Sequence, residues 1–168
     1  MGSEATALTG GCDCGGVRYE LTRTPLFVHC CHCSWCQRES GSAFALNALI
    51  ETTAVRLTAG EPQLIETPSE SGSGQKIARC GACQLALWSH YGGRNTAFSF
   101  VKVGTLDTPN LAPPDIHIFT RSKQAWLSLP DDALQCEAYY RRDEYWPADS
   151  LKRFYAEVER FKQPKAAQ

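Results

Sequence analysis

The chain has 168 residues, one domain's length, and 43% of them are hydrophobic and 21% charged, so a packed core is attainable and global disorder is not expected. Seventeen basic residues stand against eighteen acidic ones for a net charge of −1, which excludes the basic footprint of a nucleic-acid binder. No apolar run approaches the ~18 residues of a membrane span and the start MGSEATALTG lacks a basic-then-apolar signal, so the expectation is a cytoplasmic protein with no membrane or nucleic-acid partner.

In chain order, the first clear element is a strand. Val17, Tyr19 and Leu21 alternate with Arg18, Glu20 and Thr22, the period-2 pattern of a half-buried strand. Residues 44–50, 76–79, 85–90, 97–103 and 116–119 are further strand candidates, separated by Gly, Pro, Asn and Ser. The run TPSESGSGQ at 67–75 has the composition of a flexible surface loop. Near the end, Leu151, Phe154, Tyr155, Val158 and Phe161 fall on one face of a 3.6-residue helix, with Asp149 or Ser150 as its cap after Pro147. Together these predict a mainly β fold, an antiparallel sandwich or folded pair of sheets, with a C-terminal helix over 146–162 covering it. Residues 1–7 and 163–168 read as flexible ends.

Nine cysteines, at positions 12, 14, 30, 31, 33, 36, 80, 83 and 136, are the outlier. They make up about 5% of the chain, below the roughly 8–10% of small disulfide scaffolds. In a reducing compartment, clustered cysteines bind metal more often than one another. Residues i and i+2 of an extended segment share a face, which suits the C-x-C pairs. A two-residue spacer curls the sulfurs of C-x-x-C toward one point. Seven clustered sulfurs divide into four plus three, not into two closed four-ligand sites. Combining Cys12 and Cys14 with Cys80 and Cys83 closes a structural zinc site and leaves Cys31, Cys33 and Cys36 as a three-sulfur claw, although spacing alone permits other pairings. Three protein ligands with an open fourth position is the pattern of a catalytic zinc. Three thiolates on a dication leave about −1, a poor water activator but a good seat for a soft fourth ligand such as a substrate thiolate.

The remaining candidates carry blander expectations. Cys30 would point away from Cys31 on a strand, and Cys30 and Cys136 read as small buried hydrophobes. His32 should face away from the claw, in a supporting or surface position. His29, His90 and His117 read as lone structural histidines, and Trp35, Trp88, Trp126 and Trp146 as packing residues. Arg38, Arg121 and Lys123 could meet the carboxylates of a peptide thiol, or be solvated surface charge.

The runs GGCDCGGVRYEL, CHCSWCQRESGSAFALNALI, RCGACQLALW and, at 116–127, IHIFTRSKQAWL resemble the glutathione-dependent formaldehyde-activating enzyme family, related to centromere protein V. The resemblance spans roughly residues 8–140 and makes 8–145 the zinc domain. It implies an Mss4-like fold with two zinc ions per chain. It supplies the pairing: Cys12, Cys14, Cys80 and Cys83 match structural ligands, while Cys31, Cys33 and Cys36 match catalytic ones. Where the family often has a basic residue after the claw, this chain has Gln37 and then Arg38. The implied function is a zinc-dependent carbon–sulfur lyase or synthase. It joins a small thiol such as glutathione to a small aldehyde such as formaldehyde, with the zinc-bound thiolate as nucleophile. The alternative is a non-enzymatic, zinc-stabilised binding scaffold of the same fold.

Overall fold

The structure is a computed structural model describing residues 8–69, 71–92 and 96–162; the predicted flexible ends lie outside the described residues. In chain order the strands are β1 (Leu8–Gly11), β2 (Arg18–Leu21), β3 (Phe27–Cys31), β4 (Ala45–Glu51), β5 (Val55–Ala59) and β6 (Gln63–Thr67). They continue as β7 (Gln75–Arg79), β8 (Ala86–Tyr91), β9 (Phe98–Lys102), β10 (Ile116–Ile118) and β11 (Gln135–Cys136). Among the described residues three α-helices accompany them: α1 (Ser34–Ser40), α2 (Arg142–Tyr145) and α3 (Ala148–Lys162).

The strands form two sheets. The smaller has the order β1-β2-β5, and the larger β11-β10-β3-β4-β9-β8-β7-β6. The predicted mainly β class and C-terminal helix are therefore present, but the expected all-antiparallel pairing is not. β10 runs parallel to both β3 and β11.

β4 shows how the larger sheet separates two cores. Its even positions, Leu46, Ala48 and Ile50, pack with Val17, Tyr19, Leu21, Leu87 and Val101. Its odd positions, Ala45 and Leu49, pack with Phe27, Phe98, Ile116 and Trp146. Successive strand side chains point to opposite faces, so a strand covered on both sides carries apolar residues on both, as β4 does apart from the buried Asn47 and Glu51. The small sheet caps the first core: the Tyr19 ring meets Trp88 edge-on at 5.7 Å, and the Tyr19 hydroxyl lies 2.6 Å from Thr105 Oγ1. Gly10 permits this closeness, because a Cβ there would come within 2.5 Å of the Thr105 carbonyl oxygen.

α3 closes the second core. Leu151, Phe154 and Val158 pack against it, and the Phe154 ring stacks on Phe98 at 4.6 Å. Arg153 donates through Nε (3.0 Å) and Nη2 (2.6 Å) to the buried Glu51 carboxylate. The predicted apolar face is narrower than expected, since Tyr155 and Phe161 are exposed. The helix also starts earlier than its predicted cap. Asp149 lies inside the first turn, where its charge complements the helix dipole.

The region 67–75 is shorter as a loop than predicted, because Thr67 ends β6 and Gln75 begins β7.

Candidate functional site

Two turns carry the first cysteine group. Cys12 and Cys14 lie in the β1–β2 turn, and Cys80 and Cys83 in the β7–β8 turn. Their four sulfurs lie within 4.8 Å of one another. Cys12 and Cys14 Sγ are 3.5 Å apart, and Cys14 and Cys80 Sγ 3.7 Å. A tetrahedral ion with about 2.3 Å bonds to sulfur needs sulfurs about 3.8 Å apart, so the donors fit zinc. Gly16 leaves room for them, since a Cβ there would sit 3.3 Å from Cys14 Sγ and 3.6 Å from Cys80 Sγ. The backbone amides of Cys83 and Ala82 hold the Cys80 thiol below its usual range, and those of Leu85 and Cys14 do the same for Cys83. The Val17 amide donates to Cys12 Sγ at 3.2 Å. Amides aimed at sulfur favour the thiolate, the form that binds metal.

The second group is local and buried. Cys31 ends β3, Cys33 is the N-cap of α1, and Cys36 lies in that helix's first turn. Their sulfurs also lie within 4.8 Å of one another, and no fourth Cys, His, Asp or Glu ligand joins them among the described residues. The Cys36 amide donates to Cys33 Sγ at 3.3 Å. Hydrogen bonds from the Cys31 and Cys36 thiols, with that amide, lower the Cys33 thiol strongly, while the same interactions and burial raise Cys31. The trio thus presents one ready thiolate and two thiols that a dication would have to deprotonate. Gln37 anchors the turn, its Nε2 donating to the carbonyl oxygens of His32 and Ser122, each at 2.8 Å.

Beside the claw lies a cavity of about 440 Å³. Cys31, Cys33 and Cys36 line it together with Trp35, Phe100, Ile118 and Phe119, which make it largely apolar. Its polar lining includes His29, Asn47, Tyr91, Arg121 and Arg142. Burial, and then the neighbouring sulfurs of Cys36, Cys31 and Cys33, hold the Tyr91 hydroxyl well above its usual value, with a hydrogen bond to Cys36 adding to the rise. His29 belongs to a relay. Trp146 Nε1 donates to Tyr140 Oη at 2.6 Å, and Tyr140 Oη lies 2.7 Å from His29 Nε2. With its oxygen accepting from Trp146, Tyr140 has its own proton to give to Nε2. Neutral His29 then carries hydrogen on Nδ1, a buried atom with no other partner. Burial, with the nearby Arg142, pushes His29 down to about 4, so the ring is neutral at pH 7. Lys102 Nζ, donating to Asn47 Oδ1 at 3.2 Å, adds a half-buried amine near Cys36, its pKa lowered by burial.

Of the predicted carboxylate partners, only Arg121 lines the cavity; its guanidinium lies over the Phe119 ring at 5.8 Å. Arg38 is exposed and lines neither cavity described here, and Lys123 Nζ donates to the Gln124 and Leu127 carbonyls. Arg142, Tyr91, Asn47, Lys102 and the cavity position of His29 escaped the sequence reading. Of the tryptophans, Trp88 and Trp146 pack in cores, Trp35 lines the cavity, and Trp126 is 71% exposed rather than packed. His90 is structural as predicted, its Nδ1 2.8 Å from the Phe98 carbonyl oxygen.

Three residues differ from expectation together. His32 faces away from the claw as predicted, but it is fully buried rather than at the surface. His117 is not a lone histidine, since its Nδ1 lies 3.0 Å from His32 Nε2. Cys30 is not merely a small hydrophobe, since its Sγ lies 3.6 Å from the same His32 nitrogen. Cys136 is half-buried at the sheet edge, near Tyr145.

Among the described residues, no helix is long and apolar enough to cross a membrane. No curated protein matches the chain. A crystal structure of a Rhodobacter sphaeroides protein is similar at 22% identity and a TM-score of 0.47, covering 64% of this chain and 97% of that one. The sequence pattern of the glutathione-dependent formaldehyde-activating enzymes matches residues 7–122.

Proposed function

Because the chain belongs to the glutathione-dependent formaldehyde-activating enzyme family, we propose that it is a carbon–sulfur lyase or synthase. It would add the sulfur of glutathione, or a similar small thiol, to formaldehyde or a similar small aldehyde. In this reading the fold is Mss4-like and the protein works in the reducing cytoplasm. Cys12, Cys14, Cys80 and Cys83 hold a structural zinc, and Cys31, Cys33 and Cys36 hold the catalytic one. That second zinc, when bound, would keep an incoming thiol as its nucleophilic thiolate.

The observation that carries this reading is the three-sulfur claw opening on an apolar cavity with cationic and hydrogen-donating residues in its wall. Arg121 and Arg142 receive the carboxylates of the thiol, which fixes its orientation. The aromatic wall excludes water and strengthens every polar contact within. The thiol first loses its S–H proton to solvent; its thiolate sulfur then forms a bond to the aldehyde carbon, the carbonyl π bond breaks, and the oxygen takes a proton to give the S-hydroxymethyl adduct, after which solvent returns a proton to the donor. Tyr91 Oη supplies that proton, because its raised pKa keeps it protonated beside the sulfurs. His29 Nδ1–H is a second donor in the cavity wall for the developing alkoxide.

The test is ¹³C NMR exchange between labelled formaldehyde and its glutathione adduct, with zinc-replete protein. The expected result is exchange well above the spontaneous rate, lost in Cys33→Ser. Full exchange in that variant would overturn the mechanism.

A further inference from the structure

We propose that Cys30, His32 and His117 form a third metal site, for a divalent ion of the zinc class, on the face of β3 opposite the claw. Strand periodicity builds it. Cys31 and Cys33 project to the cavity side, so Cys30 and His32 project together to the other face. The parallel pairing of β10 with β3 sets His117 directly beside Cys30. The three ligand atoms then lie within 4.8 Å of one another, all of them on buried residues.

The separations lie close to those an ion needs: the sulfur–nitrogen distance matches, and the two ring nitrogens need to part by about 0.3 Å. His32 Nε2 is approached by both Cys30 Sγ at 3.6 Å and His117 Nδ1 at 3.0 Å. A single ring nitrogen has either one proton or one lone pair in its plane, so it cannot serve both neighbours well. An ion placed between the three satisfies all of them. With bonds of about 2.0–2.1 Å to nitrogen and 2.3 Å to sulfur, a tetrahedral ion needs ligand separations of about 3.3–3.6 Å. One thiolate with two imidazoles is a borderline-soft set that suits zinc or cobalt. Binding displaces the Cys30 thiol proton to solvent.

His117 also lines a separate surface depression of about 300 Å³, shared with Asp115 and Asp132, which gives the ion its route from water. Three protein ligands leave a fourth position for water. Such a site ties β10 to β3 directly behind the claw, and its ligands are distinct from the seven assigned to the two zincs above.

The test is metal analysis of the purified full chain after loading with zinc and dialysis. The expected content is three equivalents for the wild type and two for Cys30→Ser and for His117→Gln. A wild type holding no more metal than these variants overturns the proposal. Cys33→Ser reports separately on the claw, so a failed third site and a failed claw are distinguishable. If the variants fold poorly, anomalous diffraction at the zinc edge from zinc-loaded wild-type crystals decides. A peak between Cys30 Sγ, His32 Nε2 and His117 Nδ1 is expected, and its absence overturns the site.

Discussion

The four-sulfur group and the three-sulfur claw use the same residue in opposite settings. The first joins two turns whose cysteines, Cys14 and Cys80, are 66 residues apart, and two of its members, Cys14 and Cys83, are exposed. The second fits within six residues, is buried throughout, and borders a cavity. A complete ligand set on distant turns can staple a fold. An incomplete set facing a cavity can take a guest. The difference lies in ligand count and surroundings, not in the chemistry of cysteine.

The strongest way to break this comparison is to damage the staple. In small metallodomains a structural zinc contributes on the order of 10 kcal/mol, as much as the whole stability of a typical domain. Cys80→Ser is therefore expected to abolish cooperative thermal unfolding by circular dichroism, and a folded variant with a normal transition would show that the four sulfurs hold nothing essential. Cys33→Ser should do the reverse. Serine is itself a strong N-cap, so α1 keeps its start. The transition should persist while turnover falls on the order of 100-fold or more, as for a misplaced reactant.

A smaller effect sharpens the claw's side. Tyr91→Phe should lower kcat by roughly 100-fold, as for loss of a general acid, with KM little changed. In the wild type the raised pKa means that the proton-donating form survives above the ordinary tyrosine value of 10, so turnover should not decline through Tyr91 as pH rises to that point. A kcat falling with an apparent pKa below 10 in the wild type, but not in Tyr91→Phe, would contradict this. The smallest effect concerns the link between the regions. Arg79, next to Cys80, donates to Glu39 on α1 at 2.5 Å. Glu39→Gln should cost about 1 kcal/mol or less in urea unfolding and leave the exchange rate within twofold. A larger loss of turnover would mean that the staple and the claw do not act independently.

The claw was legible because its three ligands lie within six residues, whereas the four-sulfur group was legible from spacing only as two local pairs, whose joining came from the family resemblance. What escaped notice did so for physical reasons. β3 reads Phe27-Val28-His29-Cys30-Cys31 and is buried on both faces, so no alternation marks it as a strand. α1 spans seven residues, too few for a helical period to declare itself. β5 and β6 lie mostly exposed and carry no buried face to detect. Arg142, Tyr91 and Lys102 reach the claw or its cavity from three separate elements, and His117 reaches Cys30 through a parallel pairing. Nothing local in the chain encodes either meeting.

That parallel pairing has a consequence for the order of assembly. His32 and His117 are 85 residues apart, so docking β10 on β3 closes one of the longest loops in the chain and carries a correspondingly large entropic barrier. The claw needs no such closure. A nascent polypeptide can therefore capture an ion at Cys31, Cys33 and Cys36 soon after those residues emerge, whereas the cavity roofed by Ile118, Phe119 and Arg121 is completed only when the late strand arrives.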